Sequence, residues 1–443
     1  MRSYSRFIWV LGALTIAACS GLLDVKDPDI INPGDVQNAD GAIAAYNGAI
    51  GDFAFANDGD NGGTEGQILV SGVTSDEYID VETFPTRIEY DSRSISEPNG
   101  TLTTVYFNLH KARVALEGAA SALQQYLDTN TTRIGEMLAL SGMTYVYFAE
   151  NYCSAVPFSA RQPDGSILYG TPETTTGILD RAISRFDSAL GMATPASIVR
   201  LATVGKGRAL LDKGDFVGAN AAVAGVTPGV YQTAHSISTG RQQNGVYVFN
   251  NPGGARGGTG RFAVSESEGI NGLPFRSAND PRVVDTIIGL GFDNVSPLSV
   301  LLNYSGPTSP VQVAGYVEAR LIRAEAALHA APGTSAVIDT LNAIRADAAN
   351  NGGFTLIALA DPGTDTARTS LLFRERAFWL FATGHRLGDL RRLSRAPYNR
   401  PVASVYPVGP YPKGTVYGSN TELPVPFDER NNPNFTGCNA TVP

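Results

Sequence analysis

The chain is poor in the residues that build stapled or metal-held folds. Its 443 residues include three cysteines and four histidines, too few cysteines for a disulfide scaffold. Charged residues are 17% and hydrophobic residues 43%. That excludes disorder throughout, which goes with high charge and little apolar content. A basic surplus is missing as well: 33 Lys and Arg stand against 42 Asp and Glu, a formal net charge of -9. Nucleic-acid binding, which needs a basic surface, is therefore not expected. No apolar run reaches the roughly 20 residues that span a bilayer as a helix. None of the four histidines sits in an HExxH or Cys-x-x-Cys-type metal pattern. There is no G-x-S-x-G, no Walker A and no dinucleotide-binding glycine pattern, and NPGGARGGTG at 251–260 lacks a following Lys-Ser/Thr. No metal and no cofactor are expected. The loop DGDNGG at 58–63 has oxygen ligands suited to calcium but not the full twelve-residue pattern or its distal Glu, so a solvated turn is the expectation.

What the chain does have is length enough for one large domain or a few ordinary ones. It also has 48 Gly and 26 Pro, which point to long irregular connections. Arg2 and Arg6 precede an apolar or small run, Phe7 to Ala18, that ends Ile16-Ala17-Ala18-Cys19. This resembles a secretory signal with a bacterial lipobox, which implies a signal peptide over 1–18, a lipidated Cys19 and an extended tether over 19–35. Acyl chains anchor a protein at a bilayer surface without crossing it. Removal of the signal leaves 31 basic against 42 acidic residues, a net charge of -11. Ser20 and Gly21, rather than Asp, follow the cysteine, which is compatible with sorting to an outer membrane. Cys153 and Cys438 remain. In an oxidising compartment they can pair and tie the C-terminal extension to a helix end near 152; the alternative is two isolated thiols.

Residues 36–443 read as one ectodomain. Apolar residues at helical spacing predict helices over about 36–53, 101–127, 133–152, 173–190, 197–212 and 215–224, and again over 311–330, 334–349, 369–382 and 386–394. The stripe Val105, Leu109, Ala112, Leu116, Ala119, Leu123 is the clearest. Thr131 or Thr132, with Glu136, is expected to cap one helix, and Thr171 with Pro172 to open the next. Residues 67–82 are apolar without a period, and 83–100 read as surface loop. Small residues at Ser141-Gly142 and Gly205-Lys206-Gly207 suit helices in close contact. Helix pairs of this length suggest tetratricopeptide-like stacking over 36–225 and 311–394; a plain helical bundle is the alternative. Between them, 226–310 is an irregular loop-rich insert with strand-like runs at Val246–Phe249 and Phe262–Val264, and 395–443 is a tail.

Several segments resemble one family. The clearest is Arg374-Glu375-Arg376, an aromatic stretch, then Gly384-His385-Arg386-Leu387-Gly388-Asp389-Leu390-Arg391-Arg392. With it go Asp280-Pro281-Arg282, the helix from Tyr316 through Glu325, Leu341-Asn342-Ala343-Ile344-Arg345, and the ending Leu423-Pro424-Val425-Pro426-Phe427 through Asn432-Pro433-Asn434. In this order the motifs are similar to those of SusD/RagB-like outer-membrane nutrient-uptake lipoproteins. The resemblance implies a mostly α fold with tetratricopeptide-like helix pairs and a long insert. It implies a lipid-anchored protein on the outer membrane, facing outward, that captures an oligomeric nutrient, most often a glycan, and passes it to a TonB-dependent transporter. The sequence departs from a Trp-built glycan platform: after signal removal one tryptophan remains, Trp379, in a helix that reads as structural.

Arg374, Glu375, Arg376, Arg386, Asp389 and Arg391 are expected to be structural, with Arg386 and Asp389 able to pair three residues apart on one helix. Glu318 and Glu325, seven apart, resemble the paired acids of a glycoside hydrolase, but their helix belongs to the scaffold and salt links are expected instead. In the family the segment before the long helix supplies part of the site, which points to Asp76, Glu77, Tyr78, Phe84, Arg87 and Tyr90, with Tyr247 and Arg276 in the insert. Carboxylates, an Arg and aromatic faces suit a polyol ligand. The competing readings are a tetratricopeptide-like envelope adaptor for a protein or peptide and, behind it, a hydrolase.

Overall fold

A computed structural model describes residues 37–162, 165–192, 194–251 and 260–438. The signal peptide, Cys19 and the tether lie outside the described residues, as does most of the glycine-rich run at 251–260. No helix among the described residues is long and apolar enough to cross a membrane.

The first half is a stack of helices: α1 (Ala39–Asp58), α2 (Gln67–Thr74), α3 (Pro85–Asp91), α4 (Gly100–Tyr126), α5 (Thr131–Asn151), α6 (Thr175–Leu190), α7 (Ala196–Asp212) and α8 (Phe216–Val223). Each of α4 to α8 packs on its predecessor, and α1 packs along α4. Side chains that favour helix starts cap them: Asn38, Asn99, Asn130, Thr174 and Asp215 each accept a backbone N–H of the first turn. Two caps differ from expectation. Asn130, not Thr131 or Thr132, caps α5, and Glu136 instead accepts the Tyr231 hydroxyl at 2.7 Å. Pro172 lies in a two-residue strand, and Thr174 opens α6.

The α4 stripe is entirely buried. Close helix contact depends on glycine. A Cβ at Gly142 or Gly205 would come within 2.7 or 2.4 Å of the Phe186 ring, and one at Gly207 within 2.4 Å of Val223 Cγ1.

Two stretches expected to lack helix contain it. All eight residues of α2 are buried, so no amphipathic period marks it. Pro85 occupies the first turn of α3, where its missing N–H costs nothing. In the insert, Val246–Phe249 is not a strand but the centre of a short helix, α9 (Gly245–Asn250), capped by Asn244. Phe262–Val264 is a strand as expected, and it pairs antiparallel with β1 (Tyr78–Asp80). A hairpin of Asp285–Leu290 and Pro297–Leu301 lies beside it. The expected helix at 311–330 begins as a strand, Val311–Gly315, and continues as α10 (Tyr316–Ala330); α11 (Ala336–Ala346), α12 (Asp365–Trp379) and α13 (Arg386–Ser394) follow.

The family-like motifs converge on one buried ionic lattice. Glu375 accepts two bonds from Arg282 (2.8 and 3.1 Å) and one from Arg345 (2.7 Å). Asp389 accepts two bonds from Arg376 and one from Arg392, all at 2.8 Å. Arg392 also holds Glu325 at 2.8 and 3.0 Å, and Glu318 lies 2.9 Å from His385. Arg391 Nη1 donates to the carbonyls of Ala149, Glu150 and Tyr152, at the end of α5. Arg374 is less deeply placed and lies over the Phe378 ring at 4.6 Å. The local Arg386–Asp389 pair is not formed. Arg386 reaches back across the chain to Asp76 at 2.6 and 2.9 Å, because Asp389 is already saturated by Arg376 and Arg392.

Cys153 and Cys438 are joined, with Cα atoms 5.8 Å apart. The bond fastens the tail where Leu423 exchanges backbone hydrogen bonds with Asn151 (2.8 Å) and Cys153 (2.9 Å).

Candidate functional site

Five of the expected ligand residues are buried, Arg87 (9% exposed) among them. Asp76, Glu77 and Tyr90 are each 1% exposed and Tyr78 is 0%. Asp76 is the counter-ion of Arg386 and also accepts the Leu273 N–H at 2.9 Å. Tyr78 is held in the β1 ladder and packs on Phe381, with ring centres 5.4 Å apart. Burial pushes the Glu77 carboxyl and the Tyr78 and Tyr90 hydroxyls well above their ordinary pKa values. Residue type suited a polyol contact, but these side chains do not reach the surface.

Phe84, exposed, and Arg87, buried, do come together at a patch formed by the exit of β1, the start of α3, Arg261 and the turn of the 285–301 hairpin. Phe84 is 50% exposed. It precedes Pro85, and the ring of a proline drives the residue before it to an extended backbone; Phe84 has φ -76° and ψ 114° and projects at the helix start. Arg87, one turn on, is fixed from several sides. It is ion-paired with Glu65, donates to Glu82 at 2.8 Å and to the Gly63 carbonyl at 2.7 Å. Its guanidinium lies 5.2 Å from the Phe84 ring centre and 5.0 Å from that of Phe249.

Arg261, just before the strand that pairs with β1, completes the patch. It bonds Glu82 at 3.1 Å, lies 3.7 Å from the Phe292 ring centre and 5.9 Å from that of Phe84. Cation–aromatic contacts of this kind hold both partners in a fixed orientation. Phe292 is set by the turn that follows it. Asp293 accepts the N–H groups of Val295 (2.9 Å) and Ser296 (2.8 Å) and the Ser296 hydroxyl (2.7 Å), while its own N–H bonds the Val81 carbonyl at 3.0 Å. Against the upward push of burial, these bonds and Lys413 pull the Asp293 carboxyl down to about 2.

Lys413, from the tail, sits beneath. Its ammonium contacts Asp80 at 2.7 Å, the Glu82 carbonyl at 2.7 Å and Asp293 at 3.0 Å. Burial and the charge of Asp80 push Glu82 up to about 8, against the pull of Arg261 and Lys413. Burial and Asp80 likewise push Asp91 up to about 8.

Of the two insert residues, Tyr247 is half-buried on α9, the helix that carries Phe249. Arg276 is apart from the patch. It lines a cleft of about 370 Å³ with Glu266, Ser277 and Asp285, and its Nε lies 3.4 Å from Asp285. Arg261, Phe292, Glu82 and Lys413 were not foreseen. The visible signals were the cation preceding the Phe262–Val264 run and the Asp293-Asn294 turn after an aromatic.

The arrangement offers aromatic faces, hydrogen-bond donors and a rigid base. Glu318 and Glu325 are buried in the ionic lattice rather than facing a shared opening, so they do not form a hydrolytic pair. Asp58 lies 3.0 Å from His235, and Asp60 accepts the Thr64 N–H at 3.0 Å, so the acidic loop spends its carboxylates internally. No group of three or more His, Cys, Asp or Glu among the described residues is placed to hold a metal ion.

This architecture is the SusD-like fold. No family model matches the chain and no curated protein matches it. Solved structures do. A SusD superfamily protein from Bacteroides vulgatus is 15% identical, with a TM-score of 0.62 over 90% of this chain and 98% of the other. A SusD superfamily protein from Parabacteroides distasonis is 14% identical, with a TM-score of 0.67 over 90% and 99%. A protein described as a laminarin-binding SusD-like protein is 14% identical, with a TM-score of 0.64 over 91% and 99%.

Proposed function

We propose that this chain is a lipid-anchored glycan receptor of an outer membrane that hands an oligosaccharide to a TonB-dependent transporter, without catalysis of its own. One observation carries the binding reading: Phe84 is half exposed beside Arg261 and Phe292, on a base of buried ion pairs. A flat apolar ring with donors at its edge is the chemistry that receives a sugar, whose C–H face packs on the ring while its hydroxyls take hydrogen bonds. Carbohydrate binding in a solved structure of the same fold supports the reading. The lipobox-like Ile16-Ala17-Ala18-Cys19 supports the anchor, and the fold's resemblance supports the transporter.

The test is calorimetric titration of the ectodomain with neutral hexasaccharides of several linkages, alongside Phe84→Ala. Losing one stacking ring is worth about 1 kcal/mol, so binding should weaken about five- to tenfold with the melting temperature unchanged. No binding to any glycan would overturn the reading. Labelling with radioactive palmitate, lost in Cys19→Ser, tests the anchor, and co-purification with a barrel protein tests the partner.

A further inference from the structure

We infer that the patch selects uncharged glycans and discriminates against uronic-acid and sulfated ones; this rests on the glycan reading and narrows it. The reason is the charge balance under the aromatic faces. Three cations lie at or under the patch, Arg87 buried, and each is paired with a carboxylate. Arg87 is engaged by Glu65 and Glu82, Arg261 by Glu82, and Lys413 by Asp80 and Asp293. Four carboxylates thus face three cations. Protonation of Glu82 alone would bring the balance to zero.

With Glu82 ionised, an anionic sugar therefore finds no unneutralised cation. It would displace Glu82 from Arg261 or sit against the carboxylates at close range, in surroundings where like charges repel strongly because water is partly excluded. The net charge of -11 left after signal removal adds repulsion at longer range. An uncharged sugar meets none of this. Of the Arg261 guanidinium, only Nη1 has an acceptor among the described residues, and the side chain is 21% exposed. Its other N–H groups suit hydroxyl and ring oxygens, and the exposed Thr83 and Asn294 add uncharged partners at the rim. Phe84 and Phe292 both lie within 6 Å of that one guanidinium carbon, so apolar contact and donor act on the same ligand.

The test titrates the ectodomain at pH 9, where Glu82 is ionised, with neutral hexasaccharides and with hexamers of galacturonate and mannuronate, at low and at 0.5 M salt. The expected result is a neutral hexamer bound at least tenfold more tightly than either uronate, with an affinity that salt does not change. Glu82→Gln, which removes one carboxylate, should narrow that discrimination at least threefold; where it fails to fold, Glu65→Gln serves. A uronate bound as tightly as the best neutral ligand, with affinity falling as salt rises, would overturn the inference and leave the glycan reading intact. Failure of every glycan to bind would overturn both. A neutral ligand whose affinity survives Phe84→Ala and Phe292→Ala together would also defeat the inference, since the patch would not be the site.

Discussion

Replacing Asp76 by Asn separates a structural role from a ligand contact at the position where sequence and structure diverge most. Asp76 and Arg386 are 1% and 5% exposed and share two charged hydrogen bonds, at 2.6 and 2.9 Å. Removing one member of a buried pair leaves the other charge uncompensated and costs about 3–5 kcal/mol. Unfolding entropy near 2.1 cal/mol/K per residue amounts to roughly 0.85 kcal/mol/K for about 400 ordered residues. The expected fall in melting temperature is therefore about 4–6 °C, measured by circular dichroism, with glycan affinity within twofold of wild type. Asp76→Leu combined with Arg386→Met removes both charges and should recover part of the loss, because the desolvation penalty of the arginine goes with it. A variant Asp76→Asn that melts like wild type but no longer binds glycan would refute the reasoning and return Asp76 to the ligand.

Gly205→Ala should destabilise by about 1–3 kcal/mol through overpacking, since its Cβ would fall 2.4 Å from Phe186; thermal melts of the variant measure it. Cys438→Ser should cost about 2–4 kcal/mol, and added reductant should then lower the wild-type melting temperature but not that of the variant. Glu82 titrates at about 8 in the fold against an ordinary 4.5. The folded state thus holds this proton more tightly than the unfolded state, and the group withdraws stability as pH rises from about 4.5 through about 8. Melting curves of Glu82→Gln against wild type between pH 5 and pH 9 should shift in favour of the variant as pH rises, and a gap that moves the other way would contradict the assignment.

The helices were legible where one face is buried and the other wet. The α4 stripe is such a case, and every residue named in it is in the core. Helix α2 was not legible, because a segment buried on all sides carries no period. The short apolar run at 246–249 read as strand because its residue types favour strands, yet the Asn244 cap and its packing against residues 58–60 set it as helix. At the site, Phe84 and Arg87 were legible as an aromatic and a cation beside a proline. Asp76, Glu77, Tyr78 and Tyr90 were misplaced because residue type does not report depth. Arg261, Phe292 and Lys413 meet only through the β1–Phe262 ladder and the tail, and pairing across more than 150 residues leaves no local trace.

Lys413 comes thirty residues from the end of the chain and underlies a patch built from residues 80–87, 261 and 292. Synthesis runs from the N-terminus, so the aromatic patch cannot be assembled piecemeal as the polypeptide emerges; Lys413 arrives after the rest of it. A product that stops short of the tail would keep much of the helical stack and still lack a firm floor for its aromatic faces. Such long-range closure delays folding and leaves the half-made molecule exposed to aggregation and proteases. Only copies that include Lys413 would have that floor beneath Phe84, Arg261 and Phe292.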